Sequence, residues 1–228
     1  MNFLVVSPHP DDAELGMGGS IVRFIGQGHA VTIVDMTGGE PTPHGDPATR
    51  ARETAAANEK LGSPTRVNLG LPNRWLEATI ENRVKLAEAI RAHRPDVMFV
   101  PFEYDAHPDH RATYHLAIDA RFTAKLSQTD MAGQPHYPRK LIHYFCTHLK
   151  LDIQPTCVID ISGQIEAKMA AIACYQSQFY AGRGEDAGRV PEMVRILNRH
   201  FGQRIETGYA EPFFAQEVLG LTGLDGVL

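Results

Sequence analysis

The sequence predicts an α/β fold, a mostly parallel sheet between two layers of helices, formed as one domain over residues 1–228. Three observations predict it. Short apolar runs alternate with longer segments whose apolar residues recur at helical spacing, which is the pattern of repeated βαβ units. The runs are continuously apolar rather than alternating, as strands covered on both faces are. Polar His/Asp clusters follow directly on two of the runs, where open α/β sheets hold their ligands.

Asn2 to Ser7 (NFLVVS) is a short apolar run stopped by Pro8 and reads as the first strand. Leu15, Ile21, Val22 and Ile25 carry helical spacing into a stop at Gly26 and Gly28. Ala30 to Met36 is the second strand; the loop TGGEPTPHGDP then leads to an Ala-rich helix over 49–62. Val67 to Leu69 is a short third strand, and a helix over 79–93 ends before Pro95. Asp96 to Pro101 is the fourth strand, with a helix from His110 to Leu126. The polar, turn-rich segment 127–138 predicts a surface excursion. Two more strands are expected at Leu141–Phe145 and Cys157–Ile161, then a helix over 162–176, a Gly-rich loop over 181–188 and a helix over 191–203. Together these predict a Rossmann-like three-layer sandwich of strand order 3-2-1-4, with strands one and four side by side.

A net charge of −5 gives no electrostatic reason to expect nucleic acid or an anionic membrane as partner. No apolar run approaches the roughly 20 residues that span a bilayer, and MNFLVVSPHPDD lacks the basic start of a secretory leader. Cys146, Cys157 and Cys174 are odd in number, scattered and without a C-x-x-C pair. No disulfide framework is therefore expected, and the chain reads as cytoplasmic with buried thiols.

After the first strand comes Pro8-His9-Pro10-Asp11-Asp12-Ala13-Glu14. Two readings compete here: a ligand-binding cluster stiffened by its prolines, or acidic residues that cap the helix and complement its dipole. The second cluster, His107-Pro108-Asp109-His110, follows the fourth strand. Because strands one and four are neighbours, both clusters are expected to face one cleft, and a shared metal accounts for the coincidence. A dinucleotide site is the decoy: Gly16, Gly18 and Gly19 open the helix, and Asp35 ends strand two as a ribose-binding acid would. However, the strand–helix turn is filled by PHPDDAEL, whose bulk and negative charge repel a pyrophosphate. Close helix packing is the better use for those glycines.

At these residues the chain resembles the LmbE-like (PIG-L) family of zinc-dependent N-acetylglucosaminyl deacetylases. PHPDDAELGMGG and HPDH carry the resemblance, with weaker support from TGGE (37–40), the stretch from Arg50, NLGLP (68–72), SQF (177–179) and YAEPF (209–213). The late segments look most like the branch acting on N-acetylglucosaminyl-malate in bacillithiol synthesis. The resemblance implies a single LmbE-like domain that hydrolyses an acetamide, with Zn2+ held by His9, Asp12 and His110 and Asp11 as general base. It further implies that His107 serves the oxyanion or the leaving amine, that Asp109 orients His107, and that a homo-oligomer forms, with a hexamer as the candidate assembly. Arg50 lies where the family places a sugar-contacting arginine, although Arg52 competes for that register. Ala106 and Asn73 depart from the arginine and aspartate common in relatives, and both are expected near the substrate.

The chemistry suits these residue types. Two neutral imidazoles and one carboxylate leave a divalent ion net positive, so it keeps its Lewis acidity. Asp11 cannot ligate beside Asp12 without closing the open position, which favours it as the base. The same donor set accommodates Fe2+. For Asp109 a helix-capping role stays open, and Trp75 either floors a sugar site or seals its loop. The rival functions are an amidase acting on a larger acyl group or a thiol conjugate, and a non-catalytic sugar-binding domain.

Overall fold

The structure, a computed structural model, describes residues 1–148 and 151–220. The chain runs through β1 (Asn2–Ser7), α1 (Asp12–Gly26), β2 (Ala30–Thr37), α2 (Pro47–Lys60), β3 (Thr65–Leu71), α3 (Ile80–His93), β4 (Val97–Pro101) and α4 (Pro108–Thr123). It continues through β5 (Lys140–Tyr144), β6 (Cys157–Asp160), α5 (Ile165–Ala173), α6 (Gln176–Phe179), α7 (Arg189–Gln203) and β7 (Ala210–Phe214). The strands form one sheet in the order β3-β2-β1-β4-β5-β7-β6. The expected 3-2-1-4 half is present and parallel; β7 inserts antiparallel between β5 and β6, so the sheet is mixed at one edge.

Side-chain alternation along the strands divides the interior into two cores. Phe3 and Val5 of β1 face one layer with Ile33, Phe99 and Phe213, against α1, α5 and α7. Leu4 and Val6 face the other with Val34, Met98 and Val100, against α3 and α4. Strands buried on both faces cannot alternate in polarity, which is why the sequence runs were continuously apolar.

Helix α1 begins at Asp12, earlier than its apolar period suggested, and breaks at Met17 (φ −148, ψ 23). The break frees backbone donors that the buried Glu211 carboxylate takes up, from Gly19 N–H at 2.9 Å and Ser20 N–H at 2.7 Å. Lys168 Nζ, also fully buried, neutralises that carboxylate at 2.6 Å. The glycines of α1 serve close packing: a Cβ at Gly16 would collide with the Tyr144 ring, and one at Gly19 would lie 2.7 Å from Ile161 Cδ1. Asp35, the acid that a ribose would need, is instead held by both arms of Arg66 at 2.7 and 3.0 Å. Arg66 also reaches the buried Glu14 at 2.6 Å, which further excludes a nucleotide there.

Candidate active site

β1 and β4 are hydrogen-bonded neighbours, and both clusters leave the same end of the sheet. The first loop is pinned by Thr37, whose backbone N–H and hydroxyl each lie 3.2 Å from the Pro8 carbonyl oxygen. Ser7 Oγ donates to the His9 carbonyl at 2.7 Å. His9, Asp12 and His110 thereby meet: Asp12 Oδ2 lies 3.1 Å from His9 Nδ1 and 3.2 Å from His110 Nε2. One ligand atom from each of the three lies within 4.8 Å of the others, and all three residues are buried. His110 Nε2 is completely buried and faces Asp12 Oδ2 without a well-aligned hydrogen bond, a position that a cation would fill. The donor set and its spacing thus fit a divalent metal.

The other nitrogen of each imidazole has a carboxylate partner, as metal-binding histidines generally do. His9 Nε2 bonds Asp109 Oδ2 at 3.0 Å, and His110 Nδ1 bonds Asp105 Oδ2 at 3.0 Å. Asp105 also accepts the His107 backbone N–H at 2.7 Å, so one carboxylate fixes both the ligand and its loop. Asp105 was not singled out in the sequence. Replacing it with Asn is expected to weaken metal affinity about 10–100-fold, read by competition with a chromophoric chelator. Unaltered affinity would remove Asp105 from the site.

Asp109 touches His107 through its backbone, not through the carboxylate that the resemblance implied. Its carboxylate turns to His9 and accepts the backbone N–H groups of Arg74 (2.6 Å) and Leu76 (3.2 Å). His107 is instead fixed by the Asp109 backbone N–H, which donates to its Nδ1 at 3.1 Å. The neutral ring therefore carries its proton on Nε2. Burial and the neighbouring charges of His9 and His110 push its pKa down to about 4, so the proton His107 offers is that of a neutral imidazole.

Burial alone would strip the proton from His9, but its bonds to Asp109 and Asp12 hold its pKa up at about 9. His110, also buried, is raised well above its ordinary value by Asp12 and Asp105. Asp12 stays ionised well below the usual range, because both imidazoles outweigh its burial. Asp11 behaves oppositely: burial pushes its pKa up to about 7 against the pull of Arg50, whose Nη2 lies 3.3 Å from Asp11 Oδ2. Asp11 also sits at φ 121, ψ −29, a conformation strained for any residue with a Cβ, and its side chain makes no cap bond to α1. Helix capping therefore does not explain this acid. Cys146 lies near Asp105 and His110, yet burial pushes its thiol up to about 12, so it remains a protonated neighbour. All three cysteines are free and only half-buried, less enclosed than their apolar neighbours suggested.

These groups open into a cavity of about 690 Å³, the size of a small-molecule cleft. Arg50 and Asn73 line it, as do Gln178 of the SQF segment and His148, which the sequence did not single out. Arg50 is buried and lines the cavity, while Arg52 is exposed and bonds Thr49. Trp75 is 80% exposed and lines no wall of the cavity. The SQF segment braces the far wall: Ser177 clamps Glu53 of α2 through two 2.7 Å bonds, and Gln178 Nε2 reaches Thr42 Oγ1 at 3.1 Å.

The model of the PIG-L family, GlcNAc-PI de-N-acetylase, matches residues 4–121, just over half of the chain and both His/Asp clusters. The chain belongs to the PIG-L family. Among PIG-L relatives, the diacetylchitobiose deacetylase of Thermococcus kodakarensis is 29% identical over 91% of this chain and 80% of its own. The probable N-acetyl-α-D-glucosaminyl L-malate deacetylase 2 of Bacillus cereus is 28% identical over 78% of this chain and 83% of its own. Among solved structures, the conserved protein TT1542 of Thermus thermophilus superposes with a TM-score of 0.87 at 38% identity, covering 96% of each chain. The shared architecture matches the α/β sandwich described above.

Proposed function

We propose that this chain is a zinc-dependent N-deacetylase that hydrolyses the acetamide of an N-acetylglucosamine-type substrate, N-acetylglucosaminyl-malate among them, releasing acetate and a free amine. The observation that carries the reading is the convergence of His9, Asp12 and His110 beside a carboxylate, Asp11, that is not committed to the same point. A divalent ion held by those three supplies a Lewis acid for the acetamide carbonyl and lowers the pKa of water at the site. Asp11, poised near neutrality, takes the proton from the attacking water. The Nε2–H of His107 donates to the carbonyl oxygen as it becomes negative. Arg50 balances the charge of Asp11, while Asp109 and Asp105 keep the two ligand imidazoles in place.

Fe2+ is the alternative metal for this donor set. The same reading makes the protein a single-domain, cytoplasmic homo-oligomer, with a hexamer as the candidate assembly; among the described residues no helix is long and apolar enough to cross a membrane. The test combines metal analysis with amine and acetate release from N-acetylglucosaminyl-malate and diacetylchitobiose. We expect one divalent metal per site and equal amounts of acetate and amine. Pure protein that takes up neither zinc nor iron(II) would overturn the reading.

A further inference from the structure

The cavity carries a second chemistry away from its metal-ligand cluster. Both of the carboxylates lining it are committed, Asp12 between two imidazoles and Asp11 to Arg50. The remaining wall carries Arg74, Arg183 and Arg189 and no further Asp or Glu. Among the described residues Arg74 and Arg183 form no ion pair, and Arg189 has only Asp186, at 2.9 Å with both side chains well exposed (78 and 67%). A pair that open to water is weak and exchanges readily for a better partner. The chain as a whole is negative, at −5, so this cationic wall runs against its composition.

The backbone holds these arginines in place. Arg183 and Arg189 flank a turn whose Gly182, Gly184 and Gly188 all have positive φ, and Gly188 N–H closes it on the Phe179 carbonyl at 2.8 Å. Arg74 comes from another loop, tied down by its own N–H to Asp109. Guanidinium groups match paired anionic oxygens, as in carboxylate or phosphate.

We propose that Arg74, Arg183 and Arg189 form an anion subsite for the aglycone, so that the substrate is an N-acetylglucosaminide carrying an acidic rather than a neutral aglycone. This rests on the deacetylase reading above and selects among the substrates named for the relatives. An acid there is drawn to the arginine wall while the acetamide reaches His9 and Asp12, which line the same cavity.

The experiment compares three substrates: N-acetylglucosaminyl-malate (a carboxylate source), N-acetylglucosamine 1-phosphate (a phosphate source) and the neutral diacetylchitobiose. We expect at least tenfold higher kcat/KM for one of the acids, lost progressively as salt is raised. In the double variant Arg183→Ala/Arg189→Ala, the acid-to-chitobiose ratio of kcat/KM should fall about tenfold or more, mainly through KM. The acid that responds identifies the charged group. A ratio that is the same in wild type and variant would overturn the subsite while leaving deacetylation intact. Should no substrate turn over, the deacetylase reading fails, and calorimetry of glucosaminyl-malate binding still decides the subsite: about tenfold weaker binding by the variant supports it, and equal binding overturns it.

Discussion

Replacing Asp11 with Asn is expected to lower kcat by about 10²–10⁴-fold while the metal stays bound. The amide keeps the shape of the carboxylate but accepts no proton at neutral pH. Asp11 supplies none of the three convergent ligand atoms, so metal content should match the wild type. Measuring kcat beside metal stoichiometry separates the two roles, and a variant with full activity would mean that Asp11 is not the base. The pH profile gives a second check. A base must be ionised, so the rate rises with pH through the pKa of Asp11 and levels above it. That value is about 7 in the metal-free protein, and a divalent cation nearby pulls it lower. Arg50 also lowers it, so Arg50→Ala should move the rising limb to higher pH. The backbone adds a stability consequence. At φ 121, Asp11 carries a strain that glycine would not. Asp11→Gly should therefore be inactive, and in an Arg50→Ala background, where no buried guanidinium is left unpaired, it should raise stability by about 1–3 kcal/mol over Arg50→Ala alone, seen as a higher Tm.

The parts of this molecule that were legible in the sequence are those fixed by period and chain order. β1, β2 and β4 are buried on both faces, so their residues are nearly all apolar, and the clusters that follow β1 and β4 had to meet once those strands were adjacent. β7 was not legible because its five residues include Pro212, which argues against a strand inside a sheet. What side-chain direction decides was harder still. The resemblance gave the Asp109 carboxylate to His107, and nothing in the spacing says which of two nearby imidazoles such a carboxylate takes. The Asp109 carboxylate turns to His9, a hundred residues earlier, and Asp105 serves His110 across a loop that carries no period. Arg50 was within reach of sequence reasoning: it shares a helix face with the buried Glu53 and Ala57, while Arg52 lies on the opposite side.

Metal binding should release about two protons per ion at neutral pH and strengthen steeply as pH rises. In the metal-free protein the His9 pKa is about 9 and that of His110 lies well above its ordinary value, so both rings hold protons at pH 7 that a cation must displace. Asp12 contributes none, because it is already ionised. With two protons released, affinity gains up to about 100-fold per pH unit until the pH passes the pKa of His9, above which the slope falls towards one proton. The sign follows from which state holds the protons: they stabilise the empty site, so acid favours loss of metal. Calorimetric titration of zinc in buffers of differing ionisation enthalpy counts the protons directly. The Asp109→Asn variant sharpens the argument, since removing the carboxylate that raises the His9 pKa should reduce the protons released while also loosening the ring. Release of no protons by the wild type would mean that both imidazoles are neutral before the metal arrives, and that the Asp12-centred proton network is not what the metal replaces.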